Sequence, residues 1–299
     1  MRILVGVDGS ARSERALRWA LREARARDAA VSVVHVFDVP SLRGSLDREV
    51  SLDDERARAR EQLQDTVAHA NRRATAAAVD IEAVATTDHH SAARVLLRRA
   101  QHADLVVVGA RGLGGFAGLM LGSVSQQVAA HASIPVAVIP GPASSADART
   151  LPQSVVVGVD GSGHATAALR WAVDHAVVHG RPLTAVYVHP PVPPTLTAGI
   201  VRGIDLAVSD KLWTHGHAEA RQAVEELMAK ATTGIDVAVD VVAIPGSTPA
   251  HRLLQHAASH DGLLVVGSRG HGGFPGLLLG SVSQQCLHHG TLPVVVVHR

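Results

Sequence analysis

An internal duplication constrains the fold of this chain more than any other feature. "ILVGVDGS" at Ile3 returns as "VVVGVDGS" at Val155, and "GARGLGGFAGLMLGSVSQQ" at Gly109 returns as "GSRGHGGFPGLLLGSVSQQ" at Gly267. Asp8 and Asp160 stand 152 positions apart, as do Trp19 and Trp171, while Gly109 and Gly267 stand 158 apart, as do Pro135 and Pro293. The second copy therefore carries six extra residues somewhere in its middle. A repeat of roughly 150 residues is the size of a whole domain. The seam "PGPASSADARTLP", Pro140 to Pro152, has the Pro, Ser and Ala content of a linker. The expected organisation is a first domain over 1–140, a linker over 141–152 and a second domain over 153–299.

Each copy alternates strand and helix signals. "RILVGVD" is a continuous apolar run ending at a turn, the pattern of a strand buried on both faces. Ala16, Leu17, Ala20, Leu21 and Ala24 then follow at the spacing of one helix face, with Ser10 as a plausible N-cap. Ala168, Leu169, Ala172, Val173 and Ala176 repeat that face. Further strands are expected at "VSVVHVF" and "LTAVYVH", near 81–85 and 237–244, at "DLVVVG" and "LLVVG", and at "PVAVIP" and "PVVVVH". Long helices are expected over about 53–78 and 209–232, with shorter ones over about 91–101 and 249–258 and after Ser123 and Ser281. The alternation implies an α/β fold, two tandem doubly wound five-stranded parallel-sheet domains with right-handed crossovers. Ligands of such sheets bind beyond the carboxyl ends of the strands, where the winding reverses. That places the loops after the first strand, at Asp8, and after the fourth, at Gly109, at one mouth.

The glycine loop runs Gly109-x2-Gly112-x9-Gly122-Ser123, and again Gly267-x2-Gly270-x9-Gly280-Ser281. Residues without a Cβ let backbone N–H groups approach a ligand closely. Gly122-Ser123 opens a helix, whose unpaired N–H groups and positive dipole end suit phosphate. Ser123 and Ser125 add hydroxyls. A polyphosphate between the loop and the helix start is the natural reading, and a turn that merely packs the helix on the sheet is the plainer one. No Gly-Lys-Ser/Thr follows, so this is not a P-loop, and GxGxxG does not follow the first strand, so it is not the dinucleotide fingerprint.

Composition excludes other classes. A formal net charge of +1 and 2% aromatic residues point away from nucleic acid. The 19 histidines include the pairs His89-His90, His215/His217 and His288-His289, but no HExxH and no companion cysteines, so no metal is assigned. One cysteine, Cys286, rules out a disulfide within the chain and suits a reducing compartment. No apolar run approaches the roughly 18 residues of a membrane span, and Asp8 interrupts the first one too early for a signal segment, so a cytoplasmic protein is expected.

Taken with "GVDGS" at each start, the glycine spacing after a "VVVG" strand resembles the ATP-binding branch of the universal stress protein family, in its tandem two-domain form. The resemblance covers nearly the whole chain. It implies an adenine nucleotide alpha hydrolase-like sandwich and one ATP site per domain, with Mg²⁺ as the companion ion. Val7, Asp8 and Val36 would border adenine and ribose, and Gly109, Gly112, Gly122, Ser123, Val124 and Ser125 the ribose and phosphates. The matching set is Val159, Asp160 and Val188 with Gly267, Gly270, Gly280, Ser281, Val282 and Ser283. Asp8 and Asp160 also suit a helix start, where the dipole favours an acid. Arg111 and Arg269 reach either a phosphate or water.

The second copy keeps the Gly and Pro of the family's turn in "IPGSTPAHRLL", which the first replaces with "TTDHHSAARVLL", so two unequal sites are expected. No catalytic base, P-loop lysine or GxSxG elbow is present, which makes a nucleotide-binding stress regulator the leading function. A slow ATPase using Asp8 or Asp160 with Mg²⁺, and a non-binding dimerising scaffold, are the alternatives. The family pairs its last strands, so the two copies are expected to form an intrachain pseudo-dimer. A homodimer of chains and an unknown protein partner are compatible with that, and neither nucleic acid nor membrane is expected.

Overall fold

The computed structural model describes residues 1–38, 52–71, 79–86, 91–112, 121–141, 152–189, 222, 225, 238–270 and 278–299. Residues 142–151 of the linker, the helix expected over 209–232 (apart from residues 222 and 225) and the tips of both glycine loops lie outside them. The chain divides into two compact units: Met1–Leu151 with Leu287–Arg299, and Pro152–Cys286.

The first unit runs β1 (Arg2–Val7), α1 (Ala11–Arg27), β2 (Ala30–Asp38), α2 (Leu52–Asn71), β3 (Val79–Thr86), α3 (Ser91–Ala100), β4 (Leu105–Gly109), α4 (Ser123–His131) and β5 (Val136–Ile139). The second runs β6 (Ser154–Val159), α5 (Gly163–His179), β7 (Leu183–His189), β8 (Val239–Pro245), α6 (Pro249–Ser259), β9 (Gly262–Gly267) and the start of α7 (Ser281–His289). The last strand, β10 (Val294–Val297), belongs to the first unit.

Strand order in the first unit is β3-β2-β1-β4-β5-β10, and in the second β9-β6-β7-β8. The two copies thus repeat one winding, with β1 or β6 between the strand that follows it and the fourth strand of its copy. All pairs except β5–β10 are parallel. The winding reverses between β1 and β4, and between β6 and β9. The crevice beyond those strand ends is where this architecture binds ligands.

The strands are buried because helices cover the sheet. Ile3, Val5, Leu105 and Val107 are fully buried, as are Val157, Leu263 and Val265. The helix faces read from the sequence are the buried ones: Ala16, Leu17, Ala20, Leu21 and Ala24 on α1, and Ala168, Leu169, Ala172 and Val173 on α5, all at 0% exposure. Each fully buried Leu contributes about 1.5–3 kcal/mol. Small Ala side chains let the helices lie close to the sheet, so the core needs few aromatics.

Both first helices are capped by serine. Ser10 Oγ accepts the Ser13 N–H at 3.1 Å, and Ser162 Oγ accepts the Ala165 N–H at 3.1 Å. Replacing Ser162 by Ala is expected to cost about 1 kcal/mol, read as a lower urea midpoint. An unchanged midpoint would mean that the cap bond adds nothing net.

β10 pairs antiparallel with β5, Val294 opposite Val138 and Val296 opposite Val136. His298 then fastens the strand end to the turn beyond α4. Its Nδ1 lies 3.1 Å from Ile134 O and its Nε2 3.0 Å from Ala129 O. Carbonyls only accept, so a neutral ring donates to one of them and an imidazolium to both. His298→Ala is expected to destabilise the first unit by about 1–2 kcal/mol. Denaturant unfolding checks this, and a loss below 0.3 kcal/mol, on the order of measurement error, would show that the ring is dispensable. Among the described residues, no helix is long and apolar enough to cross a membrane.

Candidate functional site

The mouth of the first copy begins where β1 ends. Val7 is buried and the chain turns at Asp8 and Gly9. Gly9 has φ +81° and Gly161 φ +85°, a conformation that a side chain would strain. Asp8 Oδ1 accepts the Ser10 N–H at 3.0 Å, and Asp160 Oδ1 accepts the Ser162 N–H at 3.0 Å. Each aspartate thus closes an Asx turn that delivers the capping serine to its helix. In the first copy Ser13 Oγ also accepts the Asp8 N–H at 3.3 Å and donates to Ser10 O at 2.9 Å.

The glycine loop converges on this turn. A Cβ placed on Gly112 would run into Asp8 Oδ2, and one on Gly270 into Asp160 Oδ2. The early acid and the second loop glycine, more than a hundred residues apart in sequence, are therefore immediate neighbours in both copies. Gly109 and Gly267 do a different job. A Cβ on Gly109 would lie 3.2 Å from the backbone of Arg12 and Ser13, and one on Gly267 2.7 Å from the His164 carbonyl carbon. These glycines let the first turn of α1 or α5 rest on the strand end.

The base of each loop is sealed by one backbone hydrogen bond and a serine hydroxyl set between two carbonyls. Gly122 N–H donates to Ala110 O at 2.7 Å, and the buried Ser125 hydroxyl lies 2.9 Å from Ala110 O and 3.0 Å from Gly122 O. Gly280 N–H donates to Ser268 O at 2.7 Å, with Ser283 Oγ 3.0 Å from Ser268 O and 2.9 Å from Gly280 O. A hydroxyl has one proton, so Ser125 and Ser283 spend theirs within the loop. Ser123 and Ser281, at the first helical position, are exposed.

The start of α4 has no side-chain cap, in contrast to the serine-capped α1 and α5. Its first internal bond is Gln126 N–H to Gly122 O at 3.0 Å. The backbone N–H groups of Ser123, Val124 and Ser125 thus precede the helical ladder, where an anion is best stabilised.

Val36 and Val188 occupy matching half-buried positions on β2 and β7, one strand over from Val7 and Val159. Beside Val36, His35 Nδ1 lies 2.9 Å from Val7 O, so that nitrogen carries the proton. Tyr187 replaces His35 in the second copy, with its ring centroid 6.4 Å from that of His189. All the residues expected at the two sites thus lie at the strand ends, loop bases or helix starts of the two mouths.

Two residues that the sequence motifs do not single out border the same loops. Arg12 stands in the first turn of α1, and His164 at the matching position of α5. His164 Nδ1 lies 3.2 Å from Ser268 Oγ, a pair that the first copy, with Arg12 and Ala110, lacks. The available signal is a basic side chain at one repeat position in both copies. Its placement against the loop depends on how closely Gly109 and Gly267 let the helix approach.

With this geometry established, comparison with known proteins decides the family. The model of the universal stress protein family matches residues 1–140 and again 152–298. The chain belongs to that family. A universal stress protein of Mycolicibacterium smegmatis is 35% identical over 307 residues, spanning 99% of this chain and 96% of its own length. One from Mycobacterium tuberculosis strain H37Rv is 33% identical over 317 residues, spanning 98% and 94%. The tandem arrangement therefore extends across both relatives. A universal stress protein from Archaeoglobus fulgidus has the same fold at a TM-score of 0.69 and 19% identity, covering 100% of this chain and 98% of its own.

Proposed function

We propose that each repeat of this universal stress protein binds one adenine nucleotide, ATP with Mg²⁺, and that the bound state, rather than turnover, is its regulatory output. One observation carries the reading: in both copies the early aspartate and the second loop glycine meet at a strand-end crevice. In the first copy that crevice adjoins a helix start without a side-chain cap. An acid beside a phosphate cradle suits a ribose hydroxyl or a cation that accompanies the phosphates. A turn serving packing alone would not need both features.

Val7, Asp8 and Val36 would border the base and ribose, and Gly109, Gly112, Gly122, Ser123 and Val124 the ribose and phosphates. Ser125 would contribute its backbone N–H while its hydroxyl holds the loop base. Val159, Asp160, Val188, Gly267, Gly270, Gly280, Ser281, Val282 and Ser283 repeat these roles. Bound Mg²⁺ would offset phosphate charge, and Asp8 or Asp160 would face it with its carboxylate. A single cysteine and the fold support a cytoplasmic setting. The pairing of β10 with β5 supports association of the repeats through their last strands. The substitutions of Arg12 by His164, Ala110 by Ser268 and His35 by Tyr187 support unequal affinities.

The test is to purify the protein natively, denature it and identify released nucleotide by mass spectrometry, followed by calorimetric titration with Mg-ATP. Two adenine nucleotides per chain, or two binding events of different affinity, is the expected result. No released nucleotide together with no heat of binding would overturn the proposal and leave the loops as structural turns.

A further inference from the structure

We propose that His256 and His260, at the C-terminal end of α6, form a two-imidazole site for one borderline divalent transition ion: Zn²⁺, Cu²⁺ or Ni²⁺. The site lies within the second unit and does not rest on the nucleotide reading. Residues four apart on a helix share a face, one turn above another. The two rings accordingly lie with centroids 4.5 Å apart and planes at 35°.

Hydrogen bonding determines which nitrogen His260 presents. Its Nδ1 is 2.8 Å from His256 O and 3.0 Å from Ser259 Oγ. The Ser259 hydroxyl gives its own proton to the same carbonyl, at 2.9 Å. A carbonyl only accepts, so Nδ1 carries the proton and the Nε2 of the neutral ring holds a bare lone pair. A ring nitrogen that donates to a backbone carbonyl while the other is free is the arrangement that orients metal-binding histidines. His260 is exposed, so an ion reaches it from solvent.

His256 stands one turn back on the same helix face, half-buried beside His260. Two neutral imidazoles select ions of intermediate softness over Mg²⁺ or Ca²⁺, which prefer oxygen. Water completes the coordination shell.

The first repeat supplies a control. Counting back 158 positions from each histidine, His260 corresponds to His102 and His256 to Arg98, so the first repeat lacks the pair. The experiment is Zn²⁺ binding by equilibrium dialysis at pH 7.5 on the full chain, on His256→Arg and on His260→Gln. Far-UV circular dichroism serves as the folding check. Each single substitution is expected to remove one bound Zn²⁺, because one imidazole alone does not chelate. Excess Mg²⁺ is expected not to compete, and acidification to about pH 5.5 to release the ion. Equal stoichiometry and affinity in all three folded chains would overturn the proposal. So would retention of the ion in acid.

Discussion

A Gly267→Val chain is expected to lose about 3 kcal/mol or more of folding stability, with the loss centred on the second unit. The new Cβ would lie 2.7 Å from the His164 carbonyl carbon, 2.8 Å from its oxygen and 3.0 Å from Ala165 N. All three are backbone atoms of the first turn of α5, which Ser162 caps and six buried apolar residues tie to the sheet. No side-chain rotation relieves the clash, so the whole helix must move off β9 or the strand end must give way. Gly109→Val makes the same type of contact at 3.2 Å with Arg12 and Ser13, and is expected to cost less. Paired urea melts decide the matter. Gly267→Val chains with wild-type midpoints, or a larger loss at Gly109, would show that this packing is softer than the distances imply.

The largest effect on binding is expected at the other loop glycine. Gly112→Ala and Gly270→Ala put a Cβ where Asp8 Oδ2 and Asp160 Oδ2 now lie. Here the opposing atom is the end of a side chain, which moves cheaply, so stability should change by no more than about 1 kcal/mol. The cost falls on function: the aspartate turns away and the loop backbone is held off the ligand. Each single substitution is expected to weaken its own nucleotide site about 10–100-fold and to leave the other copy intact. The double variant should retain no nucleotide through purification. Calorimetry on the single and double variants reads this directly. Full retention of both sites in the double variant would remove the aspartate–glycine contact from the binding machinery. The two predictions separate two kinds of contact, because Gly109 and Gly267 abut helix backbone and Gly112 and Gly270 a carboxylate.

Much of the site is legible in the amino-acid sequence. The positions of the loop after β4 and of Asp8 after β1 follow from alternating periodicity and a known rule of sheet winding. Ser10 is readable as a cap because it precedes the first residue of an apolar helical face. The inward turn of Ser125 is not legible. A serine at the third position of a helix suits either an exposed donor or a loop staple, and only the distance to Ala110 O chooses between them. Arg12 and His164 share a repeat position and a basic character, but nothing local ties a first-turn side chain to a loop about a hundred residues away.

The sequence by itself determined the duplication, the order of strands and helices, the capping serines and the glycine spacing. These are local properties, set by backbone preference, apolar period and repetition. Tertiary structure alone decided that Gly112 rests on Asp8, that Gly109 and Gly267 admit the backbone of a helix's first turn, and that β10 joins the first unit beside β5. Each depends on how closely two distant segments approach. That distance is set by the summed packing of the sheet and its covering helices, which no short stretch of the chain encodes.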